Sequence, residues 1–227
     1  MPTWGFSLFV VWLYALIFRE PLPKLSSRPA AVTLMGVHIL FLCAATWQRN
    51  QLYLNPIEMW EDVYIKYPDT YRNNYNLGNL YLEDSKFEKA SELLLNAVRI
   101  SPSSSEARNN LGVALMGRKE YDKAYQSFHE ALGIKQNLAE AYYNLGRLHY
   151  LQKKYGEAEE SFRQCLSLNP DYFTVHYELA RLYHDLKNYK AALLELQQTL
   201  TYVPGNQAIM RKIEEVKKAS ADTYHLR

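Results

Sequence analysis

The feature that most constrains this sequence is a period of 34 residues. Gly78, Gly112, Gly146 and Ala180 stand at that interval, each preceded by a leucine (Leu77, Leu111, Leu145, Leu179). Phe87, Tyr121, Tyr155 and Tyr189 form an aromatic column in the same phase, and Ala90, Ala124, Ala158 and Ala192 a small one. Leu94, Phe128, Phe162 and Leu196 keep the interval, as do Pro102, Pro170 and Pro204, with Gln136 in that place once. Columns in phase at this period are the signature of a helical solenoid. The small residues let two antiparallel helices approach closely, the aromatic and Leu/Phe columns fill the space between them, and proline ends the second helix. The spacing predicts an all-α fold with full repeats over 71–104, 105–138, 139–172 and 173–206.

The residues YNLGNLY…FEKA…P resemble the tetratricopeptide repeat, over 71–204 and without an insertion. The resemblance implies a superhelix of about four full repeats whose first helices line a concave groove. Both ends fit such a stack. Trp60, Val63 and Pro68 lie 34 residues before Leu94, Ala97 and Pro102, so residues 50–70 read as a junction plus the second helix of an incomplete repeat. Asn55-Pro56 supplies its N-cap and first position. Residues 205–227 read as an amphipathic cap helix and tail, with Ile209, Ile213 and Val216 on one face.

Projected onto this chain, the groove positions run in rows. Tyr75, Asn109, Tyr143 and Tyr177 share one, and Asn76, Asn110 and Asn144 the next, where Glu178 breaks the pattern. Asn79, Val113, Arg147 and Arg181 lie one turn on, followed by Leu82, Met116, Tyr150 and His184. A carboxamide both donates and accepts, so asparagines at a regular rise can pair with the backbone of an extended peptide. Such a ladder resembles the one lining the repeats of O-linked N-acetylglucosamine transferases. Tyrosines add rigid contact area, and Arg147 and Arg181 can take a carboxylate. Asn in an NLG triplet is also common in this repeat simply as a bond within the helix pair. The carboxylate clamp of chaperone-binding repeats is not matched: Arg72 and Asn76 fit loosely, Asn109 and Val113 do not.

Charge sets the amino-terminal fifth apart. The chain has 26 Lys plus Arg against 24 Asp plus Glu. Residues 19–29 hold Arg19, Lys24 and Arg28 against Glu20 alone, so the remainder balances at 23 of each sign. Flanking that loop are uncharged stretches at 4–18 and 30–48, about 22 and 28 Å long as helices at ~1.5 Å per residue. A bilayer core of ~30 Å wants roughly 20 residues. Residues 1–49 therefore read as a membrane anchor of two transmembrane helices contacting lipid. The positive loop would be cytoplasmic, which places the repeats on the extracytoplasmic, periplasmic side of a bacterial-type membrane.

A net charge of +2 excludes a generally basic nucleic-acid binder, and two cysteines exclude a disulfide scaffold. Six histidines show no metal spacing, and no P-loop, nucleophile elbow, zinc motif or haem-attachment site occurs, so no catalytic residue, metal or cofactor is expected. The junction TWQRN…MWEDVYIKYPDTYRNNYNLG resembles the point where multi-spanning membrane O-mannosyltransferases pass into a tetratricopeptide tail. That resemblance spans roughly residues 1–100, and the family's acidic catalytic loop has no counterpart in the chain, so it carries topology and no catalytic residue. The expected function is a membrane-anchored scaffold that binds a protein or peptide partner in its groove. The alternatives are an accessory part of such a glycosyltransferase, partnered by a multi-spanning protein, and a structural subunit of a membrane complex.

Overall fold

The structure, a computed structural model, describes residues 29–225, which divide into two units at Asn55 and Pro56. Within the first unit lies one described helix, α1 (Pro29–Leu54), of 26 residues. Here the sequence expectation of two transmembrane helices is corrected. The stretch 4–18 and the loop 19–28 lie outside the described residues. The stretch 30–48 is helical, but no helix among the described residues is long and apolar enough to cross a membrane. The element that forms is longer than the apolar run, and mixed. Thr33 and His38 interrupt it, and Thr46, Gln48, Arg49, Asn50 and Gln51 continue the same helix with polar groups. The lipid contacts, the integral-membrane placement, the cytoplasmic loop and the extracytoplasmic repeats lose their basis together.

The second unit is a stack of helices: α2 (Pro56–Lys66), α3 (Tyr71–Glu83), α4 (Phe87–Ile100), α5 (Ser105–Gly117), α6 (Tyr121–Ile134), α7 (Ala139–Leu151), α8 (Tyr155–Leu168), α9 (Phe173–Asp185), α10 (Tyr189–Tyr202) and α11 (Gln207–His225). Four antiparallel pairs, α3–α4 through α9–α10, form the repeats, with α2 against the first and α11 against the last. The phase columns are the core. Ala90, Leu94, Ala124, Phe128, Ala158, Phe162, Ala192 and Leu196 are all buried, and each large side chain among them contributes about 1.5–3 kcal/mol. Close approach needs the glycine column: a Cβ on Gly112 would lie 2.5 Å from Cε1 of Phe128.

Each pair turns through the same device. The first helix ends in a Schellman motif, with Ser85, Lys119, Lys153 and Lys187 in left-handed backbone at φ of 56°, 63°, 60° and 59°. At the third turn Lys153 N donates to Tyr150 O and Lys154 N to His149 O, both at 2.9 Å. This closes the orphan carbonyls at the helix end. Helix starts are more varied. Thr70 and Ser104 cap α3 and α5 with their hydroxyls, whereas Leu138 and Tyr172 give α7 and α9 no side-chain cap. Asn206 caps α11 by accepting from Ala208 N and Ile209 N.

Successive first helices pack on one another (α3 with α5, α5 with α7, α7 with α9), and among the described residues no comparable packing joins successive second helices. Within this unit the stack is therefore tighter on the first-helix side. That side forms the inner face of the superhelix.

Candidate partner-binding groove

The residues projected onto the groove lie on the first helices α3, α5, α7 and α9, and their chemistry differs along the stack. Across the first three repeats the asparagines bond to one another. Asn144 Nδ2 on α7 donates to Asn109 Oδ1 on α5 at 3.0 Å. Asn109 Nδ2 donates to Asn110 Oδ1 at 3.0 Å, and Asn110 Nδ2 to Asn79 Oδ1 on α3 at 2.9 Å. Asn110 Nδ2 also reaches Tyr75 Oη at 3.4 Å, and the Tyr75 ring stacks on Tyr71. The result is a carboxamide relay through three repeats, every link oriented the same way. Asn109 and Asn144 are each 6% exposed, so the inner part of the relay is floor, not surface. Asn76 and the Nδ2 of Asn79 remain on the half-buried face without a side-chain hydrogen bond to another described residue.

Across repeats 3 and 4 the groove is aromatic and charged. The Arg147 guanidinium lies 5.6 Å from the Tyr143 ring centre, and the Arg181 guanidinium 5.0 Å from that of Tyr150. Such stacking leaves the in-plane donors of arginine free to form a fork. The two differ in pairing. Arg181 Nη1 meets Glu178 Oε2 at 2.8 Å, whereas Arg147, half-buried, forms no ion pair among the described residues. Tyr150 Oη donates to Asp185 Oδ2 at 2.6 Å. Burial and that carboxylate push its hydroxyl up to about 12. Tyr143 packs against Tyr172 at 5.2 Å, and burial raises its hydroxyl above the usual phenol range. Tyr177 is half-buried on α9, and His184 meets the edge of Tyr189.

Sequence reasoning missed Glu178 and Asp185 as working groups. Glu178 was only an exception in an asparagine row, and Asp185 stands in a column shared with Glu83, Gly117 and Leu151 that shows no common chemistry. Among the described residues no group of three or more His, Cys, Asp or Glu is placed to hold a metal ion. Cys165 is fully buried in the small-residue column, and burial pushes its thiol up to about 12.

Family models described as tetratricopeptide repeat match residues 75–139, 139–172 and 173–202. Residues 75–202 belong to the tetratricopeptide-repeat family. Tetratricopeptide repeats are scaffolds suited to protein–protein interaction, and this chain carries that scaffold in the second unit. No curated protein matches the chain. Among solved structures it is similar to TTC0263, a thermophilic TPR protein in Thermus thermophilus, at 19% identity and a TM-score of 0.63, covering 70% of this chain and 88% of that one. It is similar to MamA at 22% identity and 0.55, covering 64% and 85%. It also resembles a chain of the APC/C hetero-tetramer Cut9-Hcn1 at 21% identity and 0.59, covering 65% of this chain and 30% of that one. At such identities the shared property is the fold.

Proposed function

We propose that this tetratricopeptide-repeat stack is a non-catalytic scaffold that binds an extended segment of a protein partner along its inner face. The reading rests above all on Arg147: a half-buried guanidinium held over Tyr143, without a carboxylate among the described residues, while its counterpart Arg181 is matched by Glu178. A half-buried cation facing a groove is stabilised by an incoming carboxylate, and the stacked ring fixes its orientation for a two-pronged hydrogen bond. The segment would lay an acidic side chain or its carboxy terminus at Arg147 and pack against Tyr143, Tyr150 and Tyr177. Its backbone would meet Asn76 and Asn79 at the other end. Asn110 and Asn144 act in this reading as the groove floor, and Arg181 and His184 as its charged wall. No observation among the described residues favours the narrower readings of a glycosyltransferase accessory or of a subunit of a membrane assembly.

The test is a photo-crosslinking residue placed at Tyr177 in the full chain, with Leu95 on the outer α4 as control position. A segment crosslinked at position 177, with an acidic residue at the point of attachment, is synthesised and titrated against wild type and Arg147→Ala. Loss of a charge-assisted bond should weaken binding about tenfold or more. Equal capture at both positions, or equal affinity of wild type and variant, would overturn the reading.

A further inference from the structure

On the outer side of the stack, each junction between repeats has one residue of a second helix and one of the next first helix in corresponding places, again in steps of 34. At the first junction Tyr81 donates its hydroxyl to Glu61. Leu95 and Leu115 line one cavity at the second. At the fourth, Arg163 Nη2 and Glu159 Oε1 both bond the Tyr183 hydroxyl, at 2.8 and 2.7 Å. The third junction, between repeats 2 and 3, has His129 and His149 in these places. Tyr125 lies beside both, its ring centre 4.2 Å from that of His129 and 5.9 Å from that of His149. His149 Nδ1 is 3.4 Å from Ser161 Oγ on α8.

We propose that this third junction is an acid-sensitive hinge: protonation of His129 and His149 sets like charges across it and loosens repeats 1–2 from repeats 3–4. The other three junctions carry a hydrogen-bonded pair, two leucines and a matched ionic group in these places, and none of these gains a like-charge repulsion at mildly acidic pH. No carboxylate forms an ion pair with either imidazole among the described residues. The charged pairs on the surrounding helices, Arg108 with Glu130 on α5 and α6 and Arg163 with Glu159 on α8, are matched to each other. The remaining polar neighbours shown are Tyr125 on α6 and Ser161 on α8. This is also the junction where Gln136 replaces the turn proline and where Leu138 leaves α7 without a side-chain cap. Its inner side is held by the Asn144–Asn109 bond, so opening here would cut the relay.

The sign follows from the neutral form being favoured in the fold. Partial burial and the nearby His149 hold His129 below the ordinary histidine range. A depressed folded value means that the stability is present above the unfolded value of about 6.5 and is lost as pH falls through the folded one.

Thermal melts of the full chain at pH 7.5 and 5.5 test this. The His129→Leu/His149→Leu variant copies the Leu95/Leu115 junction, and His129→Gln removes one charge with less change of packing. Wild type should lose about 2–4 °C more than the double variant over this interval, with His129→Gln between them. Amide exchange, corrected for its intrinsic pH dependence, should show residues 136–144 losing protection before α9 in wild type alone. If the double variant folds poorly, His129→Gln decides. Equal acid-induced losses in wild type and variants, or protection lost evenly along the stack, would overturn the proposal.

Discussion

The ring of Phe162 occupies the place where a Cβ on Gly146 would have to go, 2.5 Å from both Cδ1 and Cε1. Phe162 is fully buried, so Gly146→Ala should cost about 1–3 kcal/mol. The fourth repeat carries the compensated version of this pair, Ala180 with Leu196. Adding Phe162→Leu to Gly146→Ala should therefore restore part of the loss. Urea unfolding of the two single variants and the double variant measures the coupling; strictly additive losses would show that the ring is not what excludes the methyl.

The left-handed residues should be improvable. Lys153 has φ of 60°, a conformation that costs a side-chain-bearing residue of order 1 kcal/mol and glycine almost nothing. Lys153→Gly should thus raise stability by up to about 1 kcal/mol after the entropy of the more flexible unfolded chain is subtracted. The melting temperature should rise by about 2–4 °C. A fall would mean that the lysine side chain makes a stabilising contribution larger than the strain.

A graded response is expected along the asparagine relay. Removing the buried donor in Asn144→Ala leaves Asn109 Oδ1 without its partner, a loss of roughly 1–3 kcal/mol. Asn79→Ala, at the half-buried end where water can replace the amide, should cost less than half as much. Chemical denaturation of the two variants side by side checks the order.

These predictions mark where the sequence was legible. Residues whose job is to fill a pairwise gap repeat in phase, so Gly112, Ala124 and Phe128 identify helix pairing without any coordinates. The asparagines repeat in phase as well, but a column does not say whom a carboxamide bonds. Asn110 and Asn144 looked equally suited to a ligand and to a neighbouring repeat, and in the fold their donors go to Asn79 and Asn109. Glu178 and Asp185 were illegible because they act through partners 3 and 35 residues away, Glu178 as the exception in an asparagine column and Asp185 in a column without common chemistry. The stretch 30–48 misled for a different reason. Counting uncharged residues ignores where a helix ends, and α1 runs on through Gln48, Arg49, Asn50 and Gln51.

Cys165 offers a clean report on global opening. In a Cys43→Ser background, its thiol should resist alkylation at pH 8 in the native state, since burial holds it up to about 12 and shields it from reagent. Labelling should accelerate in step with unfolding as urea is added. Fast native labelling would mean that the α8–α9 region opens far below the global transition.

The relay also has a consequence for building with these units. Asn144 and Asn110 each hand an amide to the repeat before, with Asn109 passing to Asn110 in between, so the chain of bonds has a sender and a receiver at every step. Repeats 2 and 4 fill the same core positions, yet a copy of repeat 4 inserted after repeat 1 would bring Tyr177 and Glu178 where Asn109 and Asn110 are needed. The message would stop there. Units that look like spare parts in the core are, along this inner thread, words in a fixed order.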